Sequence, residues 1–280
     1  MDASVDGVMT LPRQALLDTQ HAFDSVAAGY ERANAGNCLL MAMRDRARAT
    51  VAGLVTPGST VLDLGCGPGA DAEHLARLGY RVTATDWSAA MTREARRRIQ
   101  EAGLGDSVDV RHLGIHEIDR LAPATFDAAY SAFGPLNCVP DAAVAARLIA
   151  DRVRPGGVLV ASVIGRTCPW EIAFYLARGD WRRAIVRYTR DFARVPLEGG
   201  TVWTRYYSPA EFERLFAAAG FTRIALRALG VFAPPPYLHA FADGHPATIA
   251  VLQRVDDIVA TWPPFRSWGD HFLIALQRAS

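Results

Sequence analysis

The sequence predicts an α/β protein built on a doubly wound, mostly parallel sheet. Three observations predict it. Between residues 57 and 165, short apolar runs alternate with longer helical patterns, the signature of repeated strand–helix units. One run, Val61-Leu62-Asp63-Leu64, passes directly into the glycine turn Gly65-Cys66-Gly67-Pro68-Gly69, and a helical pattern follows from Ala70. A second run ends on an acid, Asp86, about 20 residues beyond that turn.

Taken in order, residues 1–20 are mixed and expected to be frayed at the start. From Phe23 to Val55 the spacing of Phe23, Val26, Tyr30, Leu40, Met43 and Ala47 is helical, with breaks expected near Gly29 and Gly36. Thr56-Pro57-Gly58-Ser59 is a turn. The strand at 61–64 leads to a helix over 70–78, and Val82 and Ala84 alternate in a strand ending at Asp86. Ser88 is placed to cap a helix over 89–102. Val108–Leu113 and Phe126–Ser131 read as the third and fourth strands. A helix over 142–153 stops at Arg154-Pro155-Gly156-Gly157, ahead of a fifth strand at 158–163. Past Gly165 the alternation breaks. A helix is expected over 168–176, a strand over 202–207, and a helix starting at Ser208-Pro209. Phe221–Leu229 is a sixth strand, Gly230–His239 a proline-rich aromatic loop, 246–260 a helix, and Phe272–Leu276 a last strand.

The glycine turn is where ligand chemistry enters. Gly65, Gly67 and Gly69 lack a Cβ, so the backbone can turn sharply and approach a bound molecule. The dinucleotide fingerprint is Gly-x-Gly-x-x-Gly, whereas the spacing here is Gly-x-Gly-x-Gly, which argues against NAD. No Gly-Lys-Ser/Thr follows to make a phosphate loop. Asp86, at a carboxyl strand end, can accept hydrogen bonds from both hydroxyls of a ribose.

Asp63 with the three glycines, Asp86 at the second strand end, the Phe126-Asp127 strand and Arg154-Pro155-Gly156-Gly157 resemble the class I S-adenosylmethionine (SAM) methyltransferases. The resemblance is strong over residues 57–165. It implies a Rossmann-like sheet of seven strands, mostly parallel, with SAM as cofactor and S-adenosylhomocysteine (SAH) as product. It further implies a helical cover over 1–56, a SAM-binding core over 57–165, a substrate lid over 166–207 inserted between the fifth and sixth strands, and completion of the sheet by 208–280. By this resemblance Asp63, Gly65, Cys66, Gly67 and Gly69 form the cofactor turn. Trp87 and Met91 would lie against the adenine, and Ser131 and Phe133 would line the methionyl end. Tyr30 would hydrogen-bond the methionyl part, and Arg44 or Arg48 would pair with its carboxylate. Many relatives place an Asp after the third strand to hold the adenine amine. Here Gly114-Ile115 stands there, so their backbone groups are expected to serve instead.

Composition narrows the partners. Charge is balanced at +1, giving no electrostatic footprint for nucleic acid or membrane. All 30 basic residues other than His are Arg, which with abundant Ala suggests a GC-rich bacterial genome. Cys38, Cys66, Cys138 and Cys168 form no CxxC pair, which fits a reducing cytoplasm. The acidic start carries no signal-peptide pattern, and no apolar run approaches the ~20 residues of a membrane span. The run Arg93, Arg96, Arg97, Arg98 has no interleaved aromatics and reads as a solvated helix face. His112 and His116 straddle a strand end, lack the helix that their spacing would need to hold a metal, and have no third ligand, so no metal is expected.

Transfer of a methyl group from a sulfonium is an in-line displacement, in which positioning does much of the work. A base is required only when the acceptor must lose a proton. The candidates on the acceptor side are His271, His239, Glu171 and Asn137, with His271 first. Asp270 precedes His271, but neighbours on a strand point to opposite faces, so no dyad is expected between them without a bulge. The aromatic density of 166–207 suits a small apolar or aromatic acceptor, such as a secondary metabolite. The alternatives are an RNA or protein methyltransferase and a non-catalytic SAM- or SAH-binding scaffold.

Overall fold

The computed structural model describes residues 11–122 and 124–280. Seven strands form the central sheet: β1 (Thr60–Leu64), β2 (Arg81–Asp86), β3 (Val108–His112), β4 (Phe126–Ser131), β5 (Val153–Ile164), β8 (Phe221–Leu229) and β9 (His271–Arg278). Their order is β3-β2-β1-β4-β5-β9-β8. β1 to β5 pair in parallel, and β9 runs antiparallel between β5 and β8. The order reverses between β1 and β4, so the crevice at their carboxyl ends is the switch point where such sheets bind ligands.

The period of two along each strand sorts the core onto two faces. Leu62, Ala129, Leu159, Ala161, Phe272 and Ile274 pack with α5 (Ala142–Arg152) and α8 (Pro209–Ala217). Val61, Ala128, Val158, Val160, Leu273 and Ala275 point the other way, against α2 (Cys38–Leu54), α3 (Ala70–Arg77) and α4 (Ala89–Glu101). A sheet covered on both faces explains why its strands read as nearly continuous apolar runs.

Local chemistry fixes the helix starts. Ser88 Oγ accepts from Met91 N at 3.0 Å and opens α4. Ser208 and Glu211 form a reciprocal capping box at the start of α8. The stop expected at Arg154–Gly157 falls one step later than the helix. α5 ends at Arg152, and these four residues enter β5 through a register shift between Phe126 and Ala128 of β4, with Gly156 at φ +74. This irregularity in the β4–β5 pairing absorbs the turn that the sequence suggests.

The amino-terminal helix α1 (Leu11–Ala35) runs unbroken through Gly29, and the chain turns only at Gly36-Asn37. Ala27, Phe23, Val26 and Tyr30 pack against Ala90 and Met91 of α4, which outweighs the ~1 kcal/mol cost of an interior glycine. Residues 11–20 are helical, and the rest of the expected frayed start, residues 1–10, lies outside the described residues.

Between β5 and β8 the chain inserts α6 (Pro169–Leu176), α7 (Trp181–Ala184) and a hairpin of β6 (Ala193–Leu197) and β7 (Gly200–Thr204). The strand expected over 202–207 is the second arm of that hairpin. Its first arm carries Pro196, and that residue hides the strand in the sequence. α1 holds the hairpin: Thr19 Oγ1 accepts from Trp203 N at 3.1 Å, Asp18 accepts from Trp203 Nε1 at 2.9 Å, and Ser25 Oγ donates to Glu198 O at 2.9 Å. Before β9 come α9 (His239–Gly244), not expected from the sequence, and α10 (Pro246–Val259). No helix of the described residues is long and apolar enough to cross a membrane.

Candidate active site

A cavity of about 920 Å³ opens at the carboxyl ends of β1, β2 and β4, between the sheet, α1 and the inserted segment. Its floor begins at the glycine turn. Gly65 adopts φ +75, and Gly67, also at positive φ, donates its N–H to Asp86 Oδ2 at 2.8 Å. A Cβ on Gly65 would sit 2.4 Å from the Pro135 ring. Gly65→Ala is therefore expected to cost about 2–4 kcal/mol from the left-handed backbone and the overlap together. Denaturant unfolding measures this, and a loss below 1 kcal/mol would show that the Pro135 loop yields freely.

Asp86 accepts from Gly67 N and Ser88 N, one bond to each carboxylate oxygen, both 2.8 Å. Burial pushes its carboxyl up, against the pull of these two N–H groups. Each oxygen keeps acceptor capacity beyond its one backbone bond, and Asp86 lines the cavity, which suits a pair of vicinal hydroxyls. Trp87 lies stacked on His112 at 6.0 Å between ring centroids and edge-on to His116 at 4.7 Å. The two histidines brace an aromatic wall. Trp87 Nε1 is buried with no partner. Met91, Gly114 and Ile115 complete this end of the cavity. Asp24 of α1 accepts from Ser88 Oγ at 2.5 Å and Ala90 N at 2.9 Å, closing the cover over the start of α4.

At the other end, Phe133 takes φ +63, the one non-glycine residue of positive φ among the described residues. Backbone strain of this kind is tolerated where the surroundings fix it, often at functional sites. Its ring meets His271 edge-on, 6.0 Å between centroids, and the Arg44 guanidinium lies 5.4 Å from its centroid. Tyr30 also lines the cavity.

Asp270 and His271 do form a dyad. His271 Nδ1 lies 2.9 Å from Asp270 Oδ2. The alternation argument fails because β9 starts only at His271. Asp270 belongs to the preceding turn, where Gly269 takes φ +129 and Gly165 N donates to Asp270 O. Burial alone would raise the Asp270 carboxyl, but the Arg187 guanidinium and His271 hold it well below the usual carboxylate range. An ionised carboxylate only accepts, so Nδ1 donates and, in the neutral ring, Nε2 carries the lone pair. His271 Nε2 is buried without a partner, and His271 lines the cavity. Glu171 lines it too and is fixed by Arg187 at 2.6 Å and by Tyr237, whose hydroxyl donates to it at 3.0 Å.

Other expected residues lie off the cavity. Asp63 is buried beneath the turn with Oδ2 unpartnered, and burial, reinforced by Asp71 and Asp86, pushes its carboxyl up. Cys66 is buried, and that burial raises its thiol. Gly69 opens α3, where a Cβ would come within 3.0 Å of Ala95, so it permits helix packing rather than ligand approach. Ser131 Oγ donates to Leu64 O inside the sheet. Arg44 and Arg48 both face Asp71, at 3.6 and 2.6 Å, and neither borders the cavity. Asn137 is a staple: Nδ2 donates to Ile164 O and Arg205 O while Oδ1 accepts from Ile164 N. His239 is exposed at the start of α9. Three of the four arginines on α4 are engaged, Arg97 with Glu94 and Glu101, Arg98 with Glu73, and Arg96 with Val110 O.

The residues present fit SAM: a glycine cradle, a carboxylate set for two hydroxyls, and an aromatic wall with an orphaned indole N–H. The comparisons with known proteins agree. The family described as methyltransferase domain matches residues 61–157. A ubiquinone biosynthesis O-methyltransferase from Methylocella silvestris is 38% identical over 163 residues, 58% of this chain and 57% of that protein. The chain spans about half the length of the curated relatives it matches. Among solved structures, a Burkholderia thailandensis 1,6-didemethyltoxoflavin-N1-methyltransferase with bound 1,6-didemethyltoxoflavin and S-adenosylhomocysteine superposes with TM-score 0.62 at 18% identity, covering 100% of this chain and 98% of its own. The [4+2]-cyclase SpnF superposes with TM-score 0.63 at 18% identity, covering 93% and 96%. Residues 61–157 match the methyltransferase-domain family, and the sheet built around them has the class I SAM-dependent methyltransferase fold.

Proposed function

We propose that the protein is a SAM-dependent methyltransferase acting on a small, protic acceptor. One observation carries the acceptor side: His271, whose Nε2 is buried without a partner, lines the same cavity as Asp86 and the glycine turn. When bound, SAM supplies a methyl group on a sulfonium, whose C–S bond breaks as the bond to the acceptor forms and whose electron pair leaves with sulfur. The chain's own residues position and deprotonate. Asp86 holds the ribose hydroxyls, and Trp87, Met91, Gly114 and Ile115 frame the adenine. Gly65, Gly67, Tyr30 and Phe133 border the methionyl end. His271 Nε2 takes the acceptor's proton, and Asp270 balances the imidazolium that results.

The apolar walls from Val195, Leu197, Val202 and Tyr206 support an apolar or aromatic acceptor held under the inserted segment, which we read as the lid of a four-part chain. The name of the Methylocella relative favours oxygen as the methylated atom. A secondary metabolite and a cytoplasmic setting fit this reading. The test is incubation of the protein with methyl-labelled SAM and a lysate of its host. Label in the acid-soluble fraction is expected. Label confined to the acid-precipitable fraction would move RNA or protein to the front.

A further inference from the structure

The inserted segment contributes one buried cation to the dyad, and that cation has nothing left to give. Arg187 lies in the turn Val186–Tyr188, between α7 and the hairpin, and is 6% exposed. A guanidinium carries five N–H groups. Here each has an acceptor: Nε donates to Glu171 Oε1 at 3.0 Å, Nη2 to Glu171 Oε2 and Asp270 Oδ1, both at 2.6 Å, and Nη1 to Gly165 O at 3.1 Å and Asp270 O at 3.0 Å. The bond to Asp270 Oδ1 leaves Oδ2 directed at His271 Nδ1. A carboxylate held at one oxygen by a rigid fork cannot rotate, so the tautomer of the imidazole is set from the inserted segment.

The charged and titratable groups packed around the dyad come from several elements. Glu171 lies on α6 with Cys168 just before it, Tyr237 lies in the loop after β8, and the Tyr206 ring lies 5.3 Å from the Arg187 guanidinium. Cys168, Glu171 and Asp270 could otherwise converge on a metal ion, but the guanidinium occupies the place of the cation between the two carboxylates.

The geometry points to Arg187 as the positioning residue of the His271 base. The inference rests on the methyl-transfer reading. The acceptor's proton goes to Nε2, the lone pair so released forms the new bond, and the ring returns the proton to solvent after transfer.

The test needs no acceptor. Protein labelled with 15N-histidine and saturated with SAH gives ring nitrogen shifts, and His271→Gln identifies the His271 pair by its loss. In the neutral ring, wild type is expected to show protonated Nδ1 and bare Nε2. Arg187→Gln is expected to lose that single-tautomer signature, and Arg187→Lys to recover it in part, because an ammonium can bridge the two carboxylates but not the carbonyls as well. Bare Nδ1 in wild type overturns the proposal without any variant, and so do unchanged ring shifts in a folded Arg187→Gln protein. An Arg187 that merely holds the segment in place would leave the tautomer alone. Failure of SAH to bind counts against the methyl-transfer reading instead, and the tautomer remains readable in the ligand-free protein.

Discussion

His271→Gln is expected to slow methyl transfer by about 10²–10⁴-fold, the usual worth of a positioned general base, while SAH affinity stays within a few-fold of wild type. Glutamine can still hydrogen-bond but takes no proton at neutral pH. The ring it replaces is buried against Phe133 and Asp270, so some loss of packing accompanies the change, but it makes no contact with the Asp86 carboxylate proposed to hold ribose, whose chain partners are Gly67 and Ser88. The measurement is the initial rate of label transfer into the acid-soluble fraction, with SAH titrated by calorimetry on the same preparations. Asp270→Asn is expected to act in the same direction, because an amide can offer Nδ1 no charge to balance the imidazolium. A His271→Gln rate equal to wild type would remove the base from the mechanism and leave positioning as the sole source of rate. That outcome would favour acceptors that carry a free lone pair at neutral pH.

The parts of the molecule most legible in the sequence are those whose residues are constrained by burial on both sides. β1, β2, β4 and β5 are covered by helices on each face, and their apolar runs announce them. Asp86 was legible because a strand end and a glycine turn fix where an acid must stand. The inserted segment was legible only in outline. Its hairpin owes its place to α1, through Thr19, Asp18 and Ser25, and long-range bonds of that kind leave no local pattern. Arg187 had no signal at all: one arginine among many acquires its role only when Glu171 and Asp270 close around it. Asn137 shows the opposite error. Its polar side chain in a loop near the acceptor suggested chemistry, but its amide is consumed by Ile164 and Arg205. The Asp270–His271 dyad was lost to a boundary of one residue, since the rule of alternating faces holds only inside the strand.

Asp86→Asn is expected to weaken SAH binding roughly 100-fold, about 3 kcal/mol, and the reason lies in bonds already made within the chain. Both carboxylate oxygens accept a backbone N–H, from Gly67 and from Ser88. An asparagine must set its NH2 against one of those two donors, so either the glycine turn or the start of α4 loses its partner. The same substitution removes one of the two charged acceptors offered to the ribose hydroxyls, and hydrogen bonds to a charged group are each worth about 1.5–3 kcal/mol. Asp86→Ala removes both acceptors and is expected to bind at least as weakly. Burial pushes the Asp86 carboxyl up, so its proton is lost at higher pH than for an exposed aspartate. Since the ionised form is the one that accepts both hydroxyls, SAH affinity should fall as the solution is acidified, from above the ordinary aspartate range downward, in wild type but not in the asparagine variant. Calorimetric titration across pH checks both statements. Unchanged affinity in Asp86→Ala would sink the ribose assignment, and the glycine turn and Trp87 would then have to hold the nucleoside without it.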